Sequence, residues 1–138
     1  MKVFVDTNVL LDVLARREPF YSDAARIWSL AERGRIKALV SVISFNNVYY
    51  VVRRASNRKS AERSLHLMRG VFTPVPLSVQ ILNQAIDAGY GDFEDAIQFH
   101  SAIYAAADCL VTRDGDHFPA TNLPVISPAA FLASLPSE

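Results

Sequence analysis

The sequence predicts an α/β protein, a three-layer α/β/α sandwich around a short, mainly parallel central sheet. Two observations carry that reading. Short runs rich in Val and Ile recur at residues 3–5, 36–42, 71–75, 109–111 and 124–126, each bounded by turn or charged residues, as buried strands are. Helical patterns separate these runs, and strands joined through helices pair in parallel by way of crossovers.

Taken in order, residues 3–5 form the first strand, and a helix follows over 8–15 after a Thr-Asn start. Residues 21–33 set Ala25, Ile27, Trp28 and Ala31 on or near one helical face, and Gly34 ends that helix. The second strand, 36–42, leads to a helix over 44–55 carrying Val48, Val51 and Val52. A shorter basic helix over 60–68 holds Leu65 and Met68. After the strand at 71–75, the helix at 78–88 opens on a Ser cap and closes at Gly89. The long helix at 92–107 is apolar on most of its surface and ends in three alanines before the strand at 109–111. The strand at 124–126 and a terminal helix at 128–135, with Pro128 in its first turn, complete the chain. At 138 residues, with no repeat, linker or low-complexity stretch, residues 1–138 are expected to form a single domain.

Composition narrows the class. The chain is 51% hydrophobic and 20% charged, the balance of a globular protein rather than a disordered one. Asp6 and Asp12 interrupt the apolar start too early for a signal peptide or a membrane span, so no membrane partner is expected. Cys109 is the only cysteine, which excludes an intramolecular disulfide and a cysteine-based zinc site, and a cytoplasmic location fits. Cys109 itself reads as a small core residue. The formal net charge of zero hides an asymmetry: residues 1–69 carry thirteen Lys/Arg against six Asp/Glu, and residues 70–138 carry Arg113 alone against eight acids. A polyanion suits the basic side, and cations suit the acidic one.

The acids fall where chemistry is expected. In parallel sheets ligands bind beyond the carboxyl ends of the strands. Asp6 directly follows the first strand, and Asp114 follows the strand 109–111 after Thr112 and Arg113. Asp95 stands in the first turn of the helix that feeds that strand, with Asp92 and Asp116 close by in sequence. If the first and fourth strands are neighbours, these carboxylates converge. Converging carboxylates repel one another, and a hard divalent cation such as Mg²⁺ resolves the conflict. A metal so held activates water and stabilises both oxygens of a phosphodiester displacement. No Gly-rich phosphate loop, GxSxG or HExxH competes, and His66, His100 and His117 lack ligand spacing. Each acid also has an ordinary structural reading: Asp6 and Asp92 as helix N-caps, Asp95 as a first-turn acid, and Asp114-Gly115-Asp116 as a turn.

The opening VFVDTNVLLDVL, the block DFEDAIQFHSAIYAAADCLVTRDGDHF and the α/β pattern between them resemble the PIN domain, in particular the toxin ribonucleases of VapBC-type toxin–antitoxin pairs. The resemblance covers essentially the whole chain. It implies an endoribonuclease that cleaves single-stranded or loop RNA with Mg²⁺ or Mn²⁺. It carries metal-binding roles to Asp6, Asp95 and Asp114, a further acid to Asp116, and carboxylate-steadying roles to Asn8 and Thr112. It also implies a homodimer and a cognate antitoxin. One position departs: members commonly carry a Glu early in the helix after the second strand, and that position falls on Asn47. An amide oxygen can bind the metal without adding charge, which implies a looser site.

Arg53, Arg54, Arg58, Lys59, Arg63 and Arg69 crowd into seventeen residues opposed only by Glu62, with Arg16 and Arg17 near the first helix. Such a stretch beside an acidic centre suits the phosphates of a single strand, and Tyr49 or Tyr50 offers a stacking face, against the alternative that both tyrosines pack in the core or a dimer contact. Two rivals stand beside the nuclease reading. An aspartyl-phosphate-forming phosphohydrolase needs an acid where Asn8 stands and a late lysine, and no lysine follows Lys59. A non-catalytic RNA- or protein-binding relative, its metal site weakened at Asn47, is the second.

Overall fold

Alternation within Lys2–Val5 (β1) sends Val3 and Val5 to one side of the sheet and Phe4 to the other, and all three are buried. A strand buried on both faces belongs at the centre of a sheet, and the computed structural model, which describes residues 1–89 and 91–136, places it there. Its partners are Lys37–Ser41 (β2), Thr73–Val75 (β3), Cys109–Val111 (β4) and Val125–Ile126 (β5). The order is β3-β2-β1-β4-β5, and every pairing is parallel. Phe4 stands opposite Leu39 on one side and Leu110 on the other.

Helices cover both faces. Val3, Val5, Val40 and Val111 pack with Leu10 of α1 (Thr7–Leu14), Ile27 and Trp28 of α2 (Tyr21–Glu32), Val48 and Val52 of α3 (Val42–Ala55), Met68 of α4 (Arg58–Val71) and Phe131 of α7 (Pro128–Ser134). On the opposite face Phe4, Leu39 and Leu110 meet Phe99 and Ala102 of α6 (Phe93–Tyr104). Helix α5 (Val79–Ala88) packs on α6 through Ala85 against Ala96 and Ile97. The core is thus two apolar layers separated by the sheet.

Several boundaries differ from the pattern of the sequence, each for a local reason. Strand β2 stops at Ser41, whose Oγ accepts the amide of Ile43, so the cap turns Val42 into the first residue of α3 despite its β propensity. Helix α4 begins earlier, at an Asn57 cap, and runs through Val71, leaving only Thr73–Val75 to pair with Leu39–Ser41. Helix α6 ends at Tyr104 because Ala106 takes a left-handed conformation at φ 55°, with the Ala107 amide returning to the Ala102 carbonyl. Glycine is the usual residue at such a turn, so three alanines hide the stop. Residues 115–117, expected only as part of a turn, form one turn of 3₁₀ helix, Gly115–His117.

Candidate metal centre

Strand β1 ends by handing its last ladder bond to residue 6: the Asp6 amide donates to the Val111 carbonyl at 3.0 Å. This ties the start of α1 to the end of β4. The Asp6 carboxylate caps α1, accepting the Thr7 amide at 2.7 Å on Oδ1, and takes the Thr112 hydroxyl at 2.7 Å on Oδ2. Asn8 completes the bridge. Its Nδ2 donates to Asp114 Oδ2 at 3.0 Å, with longer contacts to Thr112 Oγ1 and Asp6 Oδ2, and Thr112 Oγ1 also accepts the Asp114 amide at 3.1 Å. Asn8 therefore bridges two carboxylates from opposite ends of the chain, and Thr112 bonds the carboxylate of Asp6 and the amide of Asp114.

Helix α6 supplies the other wall. Asp92 caps it, accepting the Asp95 amide at 3.2 Å, which fixes Asp95 in the first turn. His117, carried round by the 3₁₀ turn, brings Nδ1 to 3.5 Å from Asp95 Oδ2. Across from α6, Asn47 of α3 donates through Nδ2 to Glu94 Oε1 at 2.7 Å. Beneath these groups a buried trio locks three helices together: Thr7 and Ser44 share a hydroxyl bond of 2.7 Å, and Gln98 Nε2 donates to both. Outside them, Arg113 clamps the fully buried Asp12 with bonds of 2.6 and 3.1 Å, its guanidinium 4.0 Å from the Phe20 ring centroid.

The walls enclose a cleft of ≈ 400 Å³ lined by five carboxylates, Asp6, Asp92, Glu94, Asp95 and Asp114, together with Asn8, Asn47, Tyr50 and His117. Burial pushes the Asp6 carboxyl up to about 7, and the negative charges of Asp95 and Glu94 work in the same direction against the bonds from Thr112 and Thr7. Burial also lifts Asp95 to about 6, with Asp92, Asp114 and Glu94 adding to the rise and His117 opposing it.

The donor set fits a hard divalent ion: the charged groups of the lining are carboxylates, joined by two amides, Asn8 and Asn47, and one imidazole. Among the described residues no three His, Cys, Asp or Glu side chains stand close enough together to hold a metal ion by themselves. Five carboxylates line the open cleft without closing on one point. Mg²⁺ keeps several of its waters and takes few protein ligands, so a donor set of this chemistry suits it.

Not every expected residue is here. Asp116 is exposed and stands outside the lining, because the 3₁₀ turn presents His117 to the cleft in its place. Asp92, Asn8 and Asn47 do line it. Of the basic stretch, Arg53, Arg54, Arg58, Lys59 and Arg63 are all exposed and none lines the cleft; Arg58 pairs with Glu62 at 2.9 Å. Arg53 and Arg54 lie three and four residues beyond Tyr50 on α3, hence on its side of the helix. The tyrosines separate: Tyr50 is exposed at the rim, while Tyr49 packs against the core. Cys109 is buried, its thiol pushed up to about 11, as a core residue would be. Sequence reasoning missed Glu94, which stands beside Asp95 in the first turn of its helix, and His117, whose only signal was its place three residues after Asp114.

Residues 2–116 match the family model of the PIN domain. The chain belongs to the PIN domain family. Solved structures agree on the PIN fold. VapBC2 from Rickettsia felis, bound to a DNA fragment from its promoter, matches with a TM-score of 0.71 at 15% identity, covering 92% of this chain and 98% of that one. VapBC-1 from nontypeable Haemophilus influenzae matches at 0.70 and 17% identity over 94% and 99%. VapC20 of Mycobacterium tuberculosis, a toxin that cleaves the sarcin–ricin loop, matches at 0.68 and 17% identity over 83% and 92%. No curated protein matches the chain at a significant level. Among the described residues no helix is long and apolar enough to cross a membrane.

Proposed function

We propose that this PIN domain is an endoribonuclease that depends on Mg²⁺ or Mn²⁺ and cleaves single-stranded or loop RNA. The observation that carries the reading is the convergence of five carboxylates on one open cleft at the carboxyl ends of β1 and β4. Asp6, Asp95 and Asp114 would hold the cation, with Asp92 beside them, and Asn8 and Thr112 orient Asp6 and Asp114. A bound divalent ion supplies Lewis-acid stabilisation of the phosphodiester and a more acidic water. A bound cation would favour the ionised forms of Asp6 and Asp95, against the burial that raises both carboxyls. Tyr50 at the rim offers a ring for a base to stack on, and Arg53 and Arg54 extend the same helix with cations for the phosphates.

The test is cleavage of a mixed RNA substrate in Mn²⁺, in Mg²⁺ and in chelator, with Asp95→Asn as the control. The parent should cut only with metal, and the variant should lose at least about 100-fold, the upper end of what losing even an outer partner of a metal site costs. A non-catalytic binding protein is the second reading, favoured by Asn47 where the resemblance to the family implies a Glu. Metal-independent RNA binding with no cleavage by the parent would establish it. The toxin–antitoxin relatives support a role as the toxin of such a pair, as a homodimer held by an antitoxin in the cytoplasm. Co-expression with the product of a neighbouring small reading frame, followed by co-purification, tests that partnership.

A further inference from the structure

Asn47, which stands where the resemblance to the family implies a Glu, is in contact with a carboxylate. Asn47 Nδ2 donates to Glu94 Oε1 at 2.7 Å, a length typical of hydrogen bonds to charged acceptors, between residues on different helices. Both side chains are partly buried, and both line the acidic cleft. The bond occupies Oε1, and no hydrogen bond from a described residue occupies Oε2. A helix-start glutamate needs no such partner, since Asp92 already caps α6 and Asp95 already complements its dipole. The amide also faces the carboxylate with its donor end, so Asn47 serves Glu94 as an anchor.

We propose that Glu94 supplies to the cation site the carboxylate that position 47 lacks, with Asn47 as the residue that positions it. The proposal rests on the reading that the cleft holds a divalent cation. It reverses the role of Asn47 from a weak ligand to a donor that aims one, and it moves the fourth anion of the site from α3 to α6.

Mn²⁺ binding to the full chain, followed by the loss of the free-ion paramagnetic resonance signal, tests it without RNA. Glu94→Gln keeps an acceptor for Asn47 and removes the charge. Its Mn²⁺ affinity should fall by more than about tenfold, and Asn47→Ala should lose about tenfold, the scale for removing a group that orients a metal ligand. In chelator Glu94→Gln should melt at or above the parent temperature, because one like charge has left the cleft. The double variant Asn47→Glu/Glu94→Gln returns the charge from the other helix and should bind Mn²⁺ more tightly than Glu94→Gln alone. A Glu94→Gln protein that binds Mn²⁺ like the parent, or that melts below it in chelator, overturns the assignment to Glu94. A parent that binds no Mn²⁺ overturns the metal reading itself.

Discussion

The two walls of the cleft are built differently. On the strand side, Asp6 and Asp114 are tied through Asn8 and Thr112, and Asp6 continues the hydrogen-bond ladder of the sheet. On the helix side, Asp95, Glu94 and Asn47 depend on how α6 packs beside α3, and His117 reaches Asp95 only through a one-turn 3₁₀ segment. A strand end is located by pairing on both sides, whereas a helix start is located by side-chain packing alone. The strand wall should therefore set the place of the cation, and the helix wall should tune how tightly it is held.

The largest effect should come from undermining the strand wall. Arg113→Ala leaves Asp12 buried without its partner, and breaking a buried pair in this way costs about 3 kcal/mol. Denaturant melts in chelator measure it; a loss below about 1 kcal/mol would mean that Asp12 finds solvent or another donor, and that this wall is less rigid than its bonds suggest.

The next effect separates the walls by pH. An acid whose folded pKa is raised binds more protons in the folded state, so its stability contribution is complete below the ordinary value of 3.8 and is lost as pH rises through about 7 for Asp6. In chelator the melting temperature should fall from pH 5 to pH 7.5, and saturating Mg²⁺ should restore it at pH 7.5. Asp6→Asn should flatten most of that slope. Asp95→Asn should flatten less, since its carboxyl is raised only to about 6. Equal flattening by both would erase the distinction between the walls.

The smallest effect on the fold belongs to the basic surface. Arg53→Gln with Arg54→Gln should leave stability within about 0.5 kcal/mol, because both side chains are exposed. RNA binding should weaken across sequences, and the slope of log K against log salt should shrink by about 0.7 for each phosphate that is no longer neutralised. An unchanged slope would mean that the strand of RNA crosses the cleft in another direction.

Much of this was legible in the residues before any coordinates. Five short Val- and Ile-rich runs between helical patterns required a parallel sheet, and Asp6 and Asp114 stood at the ends of two of its strands. The period and burial of strands are local properties, so they are written in local sequence. Helix ends were less legible. Ser41 overrode the β preference of Val42, and Ala106 made a turn that glycine usually makes.

By itself the sequence determined the α/β class, the two acids at strand ends, the acid at a helix start, and the absence of any competing catalytic motif, while the pairing of β1 with β4 came from the structure. Only the tertiary structure decided that Glu94 meets Asn47, that His117 rather than Asp116 faces the cleft, and that Tyr50 rather than Tyr49 stands at its rim. Strand-end residues are placed by a rule of topology that a pattern of elements reveals. The direction of a side chain at a helix start, or in a turn after a strand, depends on the packing angle between elements far apart in sequence, which no local pattern encodes.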